Sequence, residues 1–279
     1  MGEAAADQVE EENVLALYFG LRPLDVYPKA RRAITRALEL DPAMAEAQAW
    51  LATLDYWFEF DWRSAEPRFQ HALALDPDCS TAHDLYGCFL TAWGRHAEAR
   101  CHYERACAFD PLSTLVAANA ALGAYRARDY DRAIDLSHRV ISLDPNLPLG
   151  HAVIALVYVQ QGRCTQALNE SAEAVRLGKA GSPWHAIHAY VAAACGEDAE
   201  ARRLLQELEA LRATESIWLF MVGMSYSKLG DSDLAFARLE GACRERGGWS
   251  VWLSVEPGLD DLRTDARFPL LVRQVGLAS

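Results

Sequence analysis

The sequence predicts an all-α protein, an α-solenoid of about seven helical hairpins wound into a right-handed superhelix and closed by a C-terminal capping segment. Three observations predict it. The phrase Leu40-Asp41-Pro42 returns as Leu75-Asp76-Pro77, Phe109-Asp110-Pro111 and Leu143-Asp144-Pro145, at spacings of 35, 34 and 34 residues. An alanine recurs in the same phase, at Ala30, Ala65, Ala99, Ala133, Ala167, Ala201 and Ala235. Each unit also carries two apolar stripes with the i, i+3, i+4, i+7 spacing of amphipathic helices.

In chain order, residues 1–10 read as an acidic disordered tail, and 11–247 as the repeat array. The units fall near 11–42, 43–77, 78–111, 112–145, 146–179, 180–213 and 214–247. The first is irregular, because Leu21-Arg22-Pro23 interrupts its opening helix. Inside a unit, a glycine five residues before the alanine (Gly94, Gly162, Gly196, Gly230) ends the first helix as a C-cap. Small residues twelve before it, such as Thr53, Gly87, Ala121 and Gly223, let helices approach closely. Asp-Pro stops the second helix, since the residue before proline leaves the α region. The Asp is expected to cap the next helix, with Pro in that helix's first turn. The fifth and sixth junctions lose Asp-Pro, having Lys179-Ala180-Gly181-Ser182-Pro183 and Ala213-Thr214 instead. The stretch 248–279 is off-period and reads as a cap, in which Trp249, Trp252, Leu253, Leu259, Leu262, Phe268 and Leu271 cover the last hairpin's apolar face.

Composition excludes several functions. The chain has 279 residues, 51% of them hydrophobic, with no apolar run of membrane-spanning length. Its first residues carry neither the basic nor the apolar region of a signal peptide, so a cytoplasmic location and no membrane are expected. A net charge of −12 opposes a phosphate backbone, so no direct nucleic-acid partner is expected; acidity favours solubility and a basic partner. Seven scattered cysteines without a CxxC pattern read as buried small hydrophobes.

No catalytic, metal or cofactor pattern stands out, so an enzyme is not expected. Gly178-Lys179-Ala180-Gly181-Ser182 lacks the order of a phosphate loop, and Gly223-Met224-Ser225-Tyr226-Ser227 is no nucleophile elbow. His185 and His188 share a helix face, but no third ligand follows at metal spacing. Asp84, Asp129 and Asp131 read as isolated surface or cap carboxylates.

The unit His83-x2-Tyr86-Gly87-x2-Leu90…Ala99-x3-Tyr103…Pro111 resembles the tetratricopeptide repeat (TPR) family, as does Leu219…Gly223…Tyr226…Ala235…Leu239. The tail Glu256-Pro257-Gly258-Leu259-Asp260-Asp261-Leu262 through Leu277, and the segment Phe58–Glu66, resemble a subgroup found in bacterial multidomain signalling proteins. There such arrays accompany winged-helix, nucleotide-cyclase or Ser/Thr-kinase domains. The subgroup has Pro where Ala266 stands.

The resemblance implies a concave groove lined by the first helices. Its candidate peptide-binding residues are Trp50, Leu54, Trp57, Asp84, Cys88, Asn119, Leu122 and Tyr125, then Arg126, Leu156, Gln160, Tyr190, Phe220, Met224 and Lys228. Only Asn119, Arg126 and Lys228 resemble the Lys/Asn/Arg clamp with which some members hold a terminal carboxylate. The groove is otherwise apolar and aromatic, which suits an apolar or amphipathic protein segment. Equally, a tightly wound array uses such residues as its own core. The leading function is a non-catalytic interaction scaffold in bacterial signalling. The alternatives are the regulatory arm of an enzyme such as a nucleotide cyclase, and a superhelix that binds a small molecule.

Overall fold

The structure is a computed structural model that describes residues 23–178, 182–211 and 218–277. The acidic 1–10 segment, the first half of unit one and the sequences Lys179-Ala180-Gly181 and Ala213-Thr214 lie outside the described residues. Among the described residues the chain is helical and strand-free. A long helix, α1 (Pro23–Leu40), precedes six hairpins. These are α2 (Ala45–Phe58) with α3 (Trp62–Leu75), α4 (Ser80–Ala92) with α5 (His96–Phe109), and α6 (Thr114–Arg126) with α7 (Tyr130–Leu143). Then come α8 (Pro148–Gln160) with α9 (Cys164–Leu177), α10 (Ser182–Ala194) with α11 (Asp198–Leu211), and α12 (Leu219–Lys228) with α13 (Ser232–Arg244). Two 3₁₀ turns, Gly248–Trp252 and Pro257–Leu262, and a short α14 (Phe268–Gln274) complete it.

The second helix of each pair is amphipathic in the simplest way. In α5 only Ala99, Tyr103 and Ala106 are buried; in α7, Ala133, Ser137 and Val140; in α9, Ala167, Ser171 and Ala174. That i, i+4, i+7 stripe is what one packed face requires. The recurring alanines are all buried, so the 34-residue phase marks where the helices of a pair touch. First helices also pack on the first helices of the adjoining pairs, α2 on α4 through α10 on α12. The stack therefore curves toward its first helices, which line the inner face.

The Asp-Pro junction works differently from the sequence expectation. Asp41, Asp76, Asp110 and Asp144 follow the preceding helix and do not cap the next one. Their carboxylates accept the backbone N–H two residues on, at 3.0 Å from Ala43, 3.0 Å from Asp78, 3.3 Å from Leu112 and 2.9 Å from Asn146. This is an Asx turn. Pro lies in that turn, and helices start only at Ala45, Ser80, Thr114 and Pro148.

The break inside each pair follows the expectation where glycine stands, with φ of 78°, 70°, 81° and 78° at Gly94, Gly162, Gly196 and Gly230. At the same phase Phe60 and Arg128 also adopt left-handed backbone, φ 57° and 63°. Each costs about 1 kcal/mol or more relative to glycine. Both residues meet the C-terminal segment.

Close packing explains one further pair of glycines. The Tyr103 ring lies between α4 and α6, and a Cβ on Gly87 would come within 2.8 Å of it. A Cβ on Gly123 would come closer still. Larger residues at either position would displace the ring.

Candidate functional site

The inner face is not open. Residues 248–277 leave the last hairpin, run back along the inner face and reach the second unit. There the Trp62 indole donates to the carbonyl of Val275 at 2.6 Å. The sequence expectation of a cap over the last hairpin alone is thus too narrow, although all seven of its named residues are buried. Of the two readings of the groove, a surface for another molecule or one packed by the chain itself, this structure presents the second.

The contact centres on two buried charges. Arg126 ends α6 with 3% of its surface exposed, and Glu256 is fully buried. The Glu256 carboxylate faces the Arg126 guanidinium at 3.4 Å, accepts from the Tyr125 hydroxyl at 2.7 Å and accepts from the N–H of Gly258 at 3.4 Å. The last contact makes Glu256 the cap of the second 3₁₀ turn. Trp249 and Trp252 stack over the guanidinium, with ring centres 4.8 and 3.9 Å from it. Trp57 meets Trp252 edge-on at 6.1 Å, and Phe220 lies 6.2 Å from Trp249. Burial and the Glu256 carboxylate push the Tyr125 and Tyr190 hydroxyls well above the ordinary tyrosine range, so both remain neutral.

Further along, Tyr190 and Met224 bracket Gly258, where a Cβ would lie 2.7 Å from the Tyr190 hydroxyl. At the rim Arg128 bonds Asp260 at 2.7 Å, and Lys228 pairs with Asp261. Burial pushes the Asp260 carboxyl upward, but hydrogen bonds from Arg263 and Arg128 outweigh it and hold the group below the usual carboxylate range. The three cations Arg126, Arg128 and Lys228 thus each meet a carboxylate of the C-terminal segment. The inner face of this acidic chain is locally basic.

Of the fifteen candidate residues, Trp57, Tyr125, Arg126, Tyr190, Phe220, Met224 and Lys228 touch the segment. Gln160 reaches it through Tyr190, donating at 3.3 Å. Trp50, Leu54, Leu122 and Leu156 are buried among the first helices. Asn119 donates to Asp84 at 2.8 Å between α4 and α6, and Cys88 lies 3.6 Å from the Tyr103 hydroxyl. Asp84 is therefore buried, at 2% exposure, and not the surface carboxylate expected from the sequence. His188 Nδ1 meets Ser171 Oγ at 2.8 Å, and His83 Nδ1 meets His102 Nδ1 at 2.8 Å. The sequence reading missed Arg128 and Glu256. The signal for Arg128 was an arginine at a glycine phase; Glu256 had none, because nothing local distinguishes it from a surface acid.

No family model matches the chain, and no curated protein matches it. Solved structures do. Human IFIT1, as a dimer with m7Gppp-AAAA, is similar over 99% of this chain and 69% of its own, with a TM-score of 0.66 at 18% identity. PilW, a type IV pilus biogenesis factor, is similar over 76% of this chain and 94% of its own, with a TM-score of 0.57 at 19% identity. PilF of Pseudomonas aeruginosa covers the same shares, with a TM-score of 0.53 at 19% identity. At these identities the likeness shows the fold, a TPR-type solenoid. Among the described residues no helix is long and apolar enough to cross a membrane.

Proposed function

We propose that the chain is a non-catalytic protein-interaction scaffold whose inner face receives a segment of another protein. The observation that carries the reading is the C-terminal segment itself. Two short 3₁₀ turns lie against first helices from several pairs, which is how such a face would hold a peptide. The candidate residues that meet the segment, Trp57, Tyr125, Arg126, Tyr190, Phe220, Met224 and Lys228, remain the proposed lining, with Gln160 and Lys228 at its accessible rim. The resemblance of 256–277 to signalling-protein tails supports a docking role in bacterial signalling. IFIT1 is seen with m7Gppp-AAAA, but a net charge of −12 disfavours a phosphate backbone here. A photo-crosslinking residue at Gln160 or Lys228, used in the native host, tests the reading. The expected result is one protein captured from both positions and not from Arg139 on the outer face. Equal capture from all three positions would refute it.

A small-molecule reading has one observation in its favour. A cavity of about 270 Å³ opens between α5 and α6, lined by His96, Arg100, Tyr103 and Arg132. It exists because Ala120, Gly123, Ala124 and Ala127 stand where the preceding unit has Tyr86, Phe89, Leu90 and Trp93. A thermal-shift screen against anionic metabolites, repeated on Ala124→Leu, tests it; a shift that the variant abolishes is the supporting outcome.

A further inference from the structure

We infer that the inner face selects acidic segments carrying two aromatic side chains three residues apart and, four residues further on, a carboxylate. Residues 249–261 hold that site in cis until such a segment replaces them. This rests on the scaffold reading and names the chemistry of its partner.

The geometry states the recognition pattern. Trp249 and Trp252 clasp the Arg126 guanidinium from one 3₁₀ turn, and Glu256 meets that guanidinium at 3.4 Å while taking the Tyr125 proton donor at 2.7 Å. Gly258 admits the chain past Tyr190 and Met224, and two acids follow to reach Arg128 and Lys228. Charge sets the sign of the partner. The whole chain is acidic, yet every cation named on this face is directed at an acid of the segment, so a basic segment would meet Arg126, Arg128 and Lys228 with like charge.

The same contacts indicate that the cis segment is replaceable. Its rim ion pairs are half-exposed, at 49% and 39% for Arg128 and Asp260, where pairing contributes little. Inside the rim its hold combines the aromatic–Arg–Glu cluster with buried apolar side chains, Val251, Leu253 and Leu259 among them. In that cluster the Arg126 Nη2 group and the indole nitrogens of Trp249 and Trp252 are buried without a hydrogen-bond acceptor among the described residues. A partner with an additional acceptor at this place would gain over the segment it displaces. The cis segment resists such exchange chiefly through its tether, with an effective concentration of roughly millimolar order.

The test uses a labelled peptide of residues 247–264 and the full chain. Fluorescence anisotropy is expected to show binding to Glu256→Ala about ten-fold tighter than to the wild type, because the peptide supplies the carboxylate that the cis segment has lost. The double variant Arg126→Ala, Glu256→Ala is expected to lose that gain, as is a peptide bearing Glu256→Gln. Equal binding to the wild type and to folded Glu256→Ala overturns the proposal, as does an unaffected Glu256→Gln peptide. Should Glu256→Ala not fold, hydrogen exchange on the wild type decides. Excess peptide must deprotect the chain's own 248–262 amides, and unchanged protection overturns the proposal. A partner crosslinked from Gln160 while the peptide fails would leave the scaffold reading standing and remove this one.

Discussion

The first and second helices of each pair differ more in burial than their similar lengths suggest. From Ala82 to Ala92 every residue of α4 is buried, and in α2 only Glu46 and Gln48 are not. Their partners α5 and α3 bury a single narrow stripe. A second helix touches its own hairpin partner and the next first helix, and then meets solvent. A first helix is packed between two neighbours, and several also lie under residues 248–277. The difference shows that the inner face is finished by a distant part of the chain, and that stability should be concentrated there.

The strongest way to break that contrast is substitution in one first helix and in one second helix. Phe89→Ala, fully buried on α4 against Tyr56, Phe69 and Tyr86, is expected to cost about 3–5 kcal/mol in urea unfolding. Ser137→Ala on α7 loses only a hydroxyl that donates to the Ala133 carbonyl at 2.7 Å, and should cost less than about 1 kcal/mol. Equal costs would show that the two layers carry the fold alike.

A smaller effect separates conformational cost from contact. At Gly196 a Cβ would meet nothing within 4 Å, so Gly196→Ala tests the left-handed backbone alone. It should destabilise by about 1 kcal/mol, with no change in the circular-dichroism spectrum. Arg128→Gly should relieve a similar strain while losing the Asp260 pair, and so come out near zero in unfolding experiments. A large loss for Arg128→Gly would mean that the rim pair matters more than its exposure implies.

The smallest expected effect concerns pH. Burial, with the His83 ring and the Arg105 charge beside it, pushes the His102 imidazole down to about 4, from an ordinary value near 6.5. Between those values the unfolded chain binds a proton that the folded chain does not, so stability falls as pH falls from 6.5 toward 4. The melting temperature of the wild type should therefore drop over this range by about 2 °C more than that of His102→Asn. Equal slopes would refute the assignment.

Much of the architecture was legible because its causes are local and repeated. The alanine phase, the glycine breaks and the stripes of the second helices all follow from one face packed against a neighbour at fixed stride. Candidate inner-face positions were legible by the same phase, and Trp57, Tyr125, Arg126 and Tyr190 do gather on one face. The function of Asp41 and its equivalents was misread, since Asp before Pro suits both a helix cap and an Asx turn, and only the backbone path separates the two.

The sequence by itself determined that helical pairs must stack, because neither stripe of a pair can be kept from water alone. Only the tertiary structure decided what covers the inner face. The Tyr125–Glu256 and Trp62–Val275 contacts join residues 131 and 213 positions apart, and their C-terminal ends lie in an off-period tail with no repeat mark. A lone glutamate in an off-period tail is indistinguishable from a solvated one until a buried guanidinium is placed against it.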